Sequence, residues 1–300
     1  MKILGNVVRR NLKLFFKDKG MFFSALITPL ILLVLYATFL AKLYRDSFAN
    51  ALPEGTVIAE KLLNGTVTSQ LVSALLAVSC VTVSFCANLM MISDKANGIS
   101  RDFLVSPVKR STLAAGYYIA SAASTLIVTF SALGACLAYL AFQGWYLSFT
   151  DVLLVAGDVF LLTLFGTALS SCVNFFLNTN GQASAVGTII SAGYGFICGA
   201  YMPIASFGEG LQRVLGFFPG TYGTCLLKKH MMQGVFAEME AVGFPAEVVK
   251  GIRDSIDVNL YFYGKEVSAS VMFAVLAGSV LFFTGLFVLF HILRKNARRT

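Results

Sequence analysis

The chain has 300 residues, 57% of them hydrophobic and only 13% charged, with a mean hydropathy of +0.77. Soluble domains carry about 25% charge, so this composition excludes an ordinary globular surface and predicts an all-α polytopic membrane protein. The net charge of +8 comes with no basic-aromatic module, which excludes nucleic acid as a partner and leaves membrane topology as its explanation.

Residues 2–19 come first. On a helical wheel Lys2, Asn6, Arg9, Arg10, Lys13 and Lys17 share one face, opposite Ile3, Leu4, Val7, Val8, Leu12, Phe15 and Phe16. That pattern predicts an amphipathic helix lying in the bilayer surface, its cations meeting anionic headgroups. Spans of about 20 apolar residues follow at 21–41 (with Pro29 inside), 70–92, 113–141, 152–177, 182–201 and 267–293. No convincing cleavage site precedes the first span, so no cleaved signal peptide is expected. Five cysteines fall inside these runs and only Cys225 outside them, so no disulfide framework is predicted.

Lys and Arg fix the expected orientation. Residues 1–20 carry six of the 23, residues 93–112 four and the tail after 293 four. The positive-inside rule therefore places both termini and the 93–112 loop in the cytoplasm, the even number of spans agreeing. Residues 42–69, 143–151 and 202–266 are expected outside.

The absences narrow the chemistry. There is no G-x-x-x-x-G-K-[ST], no G-x-S-x-G and no H-E-x-x-H, so no catalytic residues and no metal site are predicted. Asp158 is the one acid within an expected span, about 9 Å below its outer boundary at 1.5 Å per residue. It reads either as a substrate or proton site or as a hydrated structural acid. In the fifth span Ala183, Gly187, Ser191, Gly195 and Gly199 recur every four residues. This smooth face serves close packing of another helix or lines a pathway at a dimer axis. Gly166, Ser170 and Asn174 form a shorter ridge in the fourth. After the fifth span, Pro203 halts the helix and Pro219 stops a short apolar helix at 211–218. That segment is too short to span and too apolar to leave the membrane, so it is expected to dip back as a re-entrant hairpin.

These features together resemble the permease subunits of type-2 ABC exporters. The loop after the second span resembles that family's acid-x-acid-x-Gly-Thr-Leu-Glu-x-Leu-Leu-x-Thr-Pro signature. Asp94 stands at the first acid, Gly98 at the glycine, Phe103 and Leu104 at the hydrophobic pair, and Ser106 with Pro107 at the Thr-Pro. Ala96 replaces the second acid and Arg101 the glutamate. Gly199, Pro203 and Pro219 match a Gly-(x)3-Pro … Pro pattern.

The resemblance implies that residues 93–112 form a coupling helix that docks on a separate ATP-hydrolysing subunit, with ATP and magnesium held there and no cofactor held here. Ile99 and Phe103, four residues apart, share one face that can plug a pocket. Arg101 and Asp102 flank that face and are expected to set partner choice. A homodimer or a pair with a paralogous permease would enclose the pathway, with Asp158, Gly187, Ser191, Gly195 and Gly199 along it and Pro203, Phe218 and Pro219 forming an external gate. The setting implied is a bacterial cytoplasmic membrane. The 27 phenylalanines suit a drug-like or amphiphilic cargo. The alternative is a membrane scaffold or sensor that uses the same loop to bind a partner without transporting anything.

Overall fold

The computed structural model describes residues 2–42, 45, 59–105 and 108–296. The chain opens with α1 (Lys2–Lys17) and α2 (Lys19–Leu35), which passes through Pro29 and runs into a π-helical turn at Tyr36–Leu40. Helix α3 (Glu60–Ala96) is 37 residues long, about 55 Å at 1.5 Å per residue. A short α4 (Ile99–Val105) precedes the long α5 (Arg110–Gln143) and α6 (Phe149–Phe176). Then come α7 (Asn180–Ile197), a 3-10 turn at Ile204–Ser206, α8 (Glu209–Leu215), α9 (Pro219–Ala241) and α10 (Ala246–Ser255). A two-stranded hairpin, β1 (Tyr261–Phe262) with β2 (Lys265–Glu266), leads into the final α11 (Ala269–Asn296).

Helix α3 is the axis of the bundle. It packs on α2, α5, α6, α7 and α9 and is buried from Gly65 almost to its end. A helix apolar all round belongs in the interior, but α3 is also rich in Ser and Thr. Its hydroxyls are satisfied within the helix: those of Thr66, Ser79, Thr82 and Ser84 donate to the carbonyl four residues earlier. Others bridge to α6, where Asn88 donates to Ser170 and Ser171, and the Ser84 and Thr167 hydroxyls lie 3.3 Å apart. Such hydroxyl and amide ladders hold apolar helices together where burial alone gives little.

Among the described residues, four helices are long and apolar enough to cross a membrane: Glu60–Ala96, Ser111–Gln143, Phe149–Phe176 and Ala269–Leu293. The first expected span forms the shorter α2, and the fifth forms α7, whose 18 residues include Asn180, Gln182, Ser184, Thr188 and four glycines. The expected second span is lengthened at both ends. Its helix starts at Glu60 because Gly65 and Gly144 let α3 approach the α5–α6 turn closely: a Cβ on Gly144 would lie 2.7 Å from the Lys61 carbonyl oxygen. Thr66, Thr68, Ser69 and Gln70 are thereby buried, which hydropathy alone does not signal.

The largest departure is in residues 202–266, expected as one external stretch. The helix anticipated at 211–218 is α8, ending at Leu215, and α9 is a core element packed on α3, α6 and α11. Gly223 faces Leu162 and Leu276, while Gly234 sits on the carbonyl of Tyr146 at the α5–α6 turn. Helix α9 thus runs alongside the first half of α6 and reaches the α5–α6 turn at Gly234.

The ridge at Gly166 gives a direct test of the α3–α6 seam. A Cβ there would lie 2.9 Å from the Cys80 carbonyl oxygen and 3.0 Å from the Val81 Cα, both backbone atoms, whereas at Gly187 it would meet nothing. Gly166→Ala is expected to cost about 1–3 kcal/mol through overpacking and Gly187→Ala close to nothing. The midpoints of thermal unfolding in detergent read the difference.

Candidate functional site

The basic turn after α3 is built from four segments. The last turn of α3 ends at Asn97, whose N–H donates to the Ser93 carbonyl, and Gly98 follows at φ +78°, in the left-handed region. Glycine takes that conformation without the Cβ clash other residues meet. The reversal hangs α4 directly from α3, with Ile99 and Phe103 half-buried and Asp102 exposed. Arg101 and Leu104 lie within α4; Ser106 and Pro107 fall outside the described residues.

Asp94, expected to face a partner, points into the bundle instead. It is 4% exposed and receives a two-pronged bond from Arg10 of α1, Nη1 to Oδ2 at 2.6 Å and Nη2 to Oδ1 at 3.1 Å. The Tyr117 hydroxyl of α5 donates to the same carboxylate. Hydrogen bonding to Asp94 raises the Arg10 pKa above its ordinary value despite partial burial. The guanidinium also lies 5.4 Å above the Phe103 ring, a cation–π contact.

Arg10 therefore touches α3 and α4 at once, and Asp94 ties α1 to α5. Helix α1 is seated by more than this pair: Val7, Asn11 and Phe15 are buried, and Val7 presses on Gly116. The surface helix and the turn are one clasp. Lys95, read from sequence as part of the basic surplus, caps the neighbouring helix. Its Nζ donates to the carbonyls of Asn174, Phe175 and Leu177 at 2.9–3.1 Å, satisfying the open C-terminus of α6.

The residues expected to line a pathway separate into two groups. Gly187 and Ser191 leave an open face on α7, but Gly195 is covered by the Tyr201 ring and Gly199, at φ +73°, by Ile204 and Asp257. Asp158 is 2% exposed and its carboxylate lies 2.6 Å from His230 Nδ1 of α9. Of the expected gate residues, Phe218 and Pro219 stand at the α8–α9 junction, and Pro203 lies before α8. Pro203 starts the 3-10 turn, Pro219 is the first residue of α9, and the Phe218 ring packs between Phe165 and Tyr194 with centroids 6.2 and 5.9 Å away.

A second polar node holds that junction. Lys228, 2% exposed, donates to the carbonyls of Gly199 at 2.7 Å and Ile256 at 2.9 Å, with Asp257 at 3.8 Å. Asp257 accepts from the N–H groups of Ile204 at 2.5 Å and Ala205 at 3.1 Å. Neither Lys228 nor Asp257 stands out by motif. The signal was the apolar spacing of Leu227, Met231, Met232, Val235, Phe236 and Met239, which marks a buried face that Lys228 shares.

Residues 4–231, well over half of the chain, match the family described as ABC-2 type transporter. No curated protein matches the sequence.

Proposed function

The chain belongs to the ABC-2 type transporter family, and on that footing we propose that it is the transmembrane permease subunit of an ATP-driven exporter. Permeases of this family generally work with ATP-binding cassette subunits. In this reading two copies, or one copy and a paralogous permease, enclose the pathway, and separate subunits bind ATP and magnesium and carry out hydrolysis. The basic end of the bundle, with α1, α4 and the C-terminus, is cytoplasmic, in a bacterial cytoplasmic membrane.

The observation that carries the proposal is the suspension of α4. It is a short helix set by Gly98 at the tip of the central helix and braced by Arg10 against Phe103. A push on α4 has little slack to absorb it before it reaches α3, which touches most of the bundle. That is the linkage required for a motor subunit to move a pathway as near-rigid bodies. The hairpin from Pro203 through Phe218 re-enters the membrane from outside and closes the far end. Its contact with Phe165, in the interior of α6, supports that depth. Phenylalanine-rich surfaces favour an amphiphilic cargo.

Co-expression with the ATP-binding cassette subunit of the host tests the proposal. Wild-type protein is expected to co-purify with that subunit and raise its ATPase activity in liposomes. Phe103→Asp is expected to abolish the stimulation while the permease itself still purifies folded. Absence of a co-purifying ATPase, or full stimulation by the variant, would overturn the reading.

A further inference from the structure

A cavity of about 420 Å³ lies between the chain just after the π-helical turn and the first turns of α3. Ala41, Lys42, Arg45, Asn64, Val67 and Thr68 line it. That volume falls in the range of small-ligand sites, about 300–1,000 Å³. The cavity sits at the end of α3 opposite the basic turn. The π-helical turn Tyr36–Leu40 brings the chain to its edge, with the Ala41 N–H donating to the Tyr36 carbonyl five residues back. Such turns are frequent at functional sites.

The polar groups of this cavity are largely unspent. Thr66, Ser79, Thr82 and Ser84 of α3 donate to the carbonyl four residues back. Thr68, only 6% exposed, makes no such bond. Among the described residues, neither the Asn64 amide nor the Lys42 ammonium has a side-chain partner. Arg45 is held by Glu60, Nη2 to Oε1 at 2.6 Å, and Glu60 stands outside the lining. Two cations against one carboxylate leave one net positive charge, beside an amide and a hydroxyl. That set suits a group with a single negative charge and several acceptor oxygens. Ala41 and Val67 add an apolar wall, and Val34, Leu35 and Phe39 stand exposed along the helix that leads to it. A free ion has no use for that apolar approach, whereas an amphiphile has.

We propose that this cavity binds the phosphodiester of an anionic lipid. Lys42 and Arg45 face the phosphate oxygens, Asn64 and Thr68 donate hydrogen bonds to them, and the acyl chains lie along Val34, Leu35 and Phe39. Basic pockets between apolar helices take lipid headgroups in this way. The site belongs to a single chain, so it stands or falls independently of any ATPase partner.

Calorimetric titration of the delipidated full chain in detergent tests the site with three probes: dioctanoylphosphatidylglycerol, dioctanoylglycerol and inorganic phosphate. The phospholipid is expected to bind saturably, and the other two at least tenfold more weakly. Lys42→Gln removes a charge-assisted bond and is expected to weaken phospholipid binding about tenfold. Thr68→Val keeps the side-chain shape, loses the hydroxyl and is expected to weaken it about threefold. Lys61→Gln, a neighbouring exposed lysine outside the lining, is expected to leave the titration unchanged. Inorganic phosphate binding as tightly as the phospholipid would make this a free-anion site and overturn the lipid assignment. Equal binding of dioctanoylglycerol would remove the phosphate from it. Wild-type affinity in both Lys42→Gln and Thr68→Val, or an equal loss in Lys61→Gln, would overturn the site itself.

Discussion

Lys228→Met is expected to destabilise the protein by about 3–5 kcal/mol, the cost of leaving one member of a buried ion pair uncompensated. Methionine keeps the length and apolar stem of lysine, so the change removes the charge and the donors with little loss of volume. Asp257 would retain its two backbone donors, Ile204 and Ala205, but lose its nearby cation. The carbonyls of Gly199 and Ile256 would lose the ammonium that bridges them. Asp257→Asn separates charge from backbone, because Asp257 sits at φ +59° and asparagine tolerates that region nearly as well as aspartate. The double variant is expected to cost less than the sum of the singles by about 1–3 kcal/mol, the coupling typical of contacting residues. Thermal unfolding in detergent measures all three. Additive effects would mean that the two side chains do not act as a pair.

That node also shows what the sequence could not reveal. The membrane class and the amphipathic α1 each rest on composition or on a local pattern, and local patterns are visible in one dimension. The interior of residues 202–266 is different. A window that weighs charge reads Lys228, Lys229 and His230 as external, because hydropathy counts a charge without seeing its partner. Lys228 finds two carbonyls and a carboxylate 28 and 29 residues away, and only the fold brings them together. The same holds for Asp94, whose partner Arg10 lies 84 residues earlier. In sequence it fits a family position and reads as a contact for another protein; in the structure that carboxylate is already fully engaged. Ile99 and Phe103 keep the shared face that their spacing gave them, with Phe103 also serving as the seat of Arg10.

Asp158 was the least determined residue in the sequence, and its pairing with His230 turns an open question into a measurable one. His230→Ala would leave the Asp158 carboxyl group, 2% exposed, without its hydrogen-bond partner, and is expected to cost about 1–3 kcal/mol. Asp158→Asn combined with His230→Gln keeps a hydrogen bond between the two helices and removes both titrating groups. Its stability is therefore expected to return close to wild type, since a neutral pair pays no charge-burial penalty. Transport then separates the two roles. If the pair is a brace between α6 and α9, the double variant exports as well as wild type, measured as cargo uptake into inverted vesicles. If a proton moves on or off the pair during each cycle, the double variant folds normally and transport falls, because neither amide can carry that proton. We expect the brace. His230 lies on α9, the helix that Lys228 locks to the segment after α7, and a joint pinned at two points along one helix is suited to transmitting movement rather than to exchanging ions.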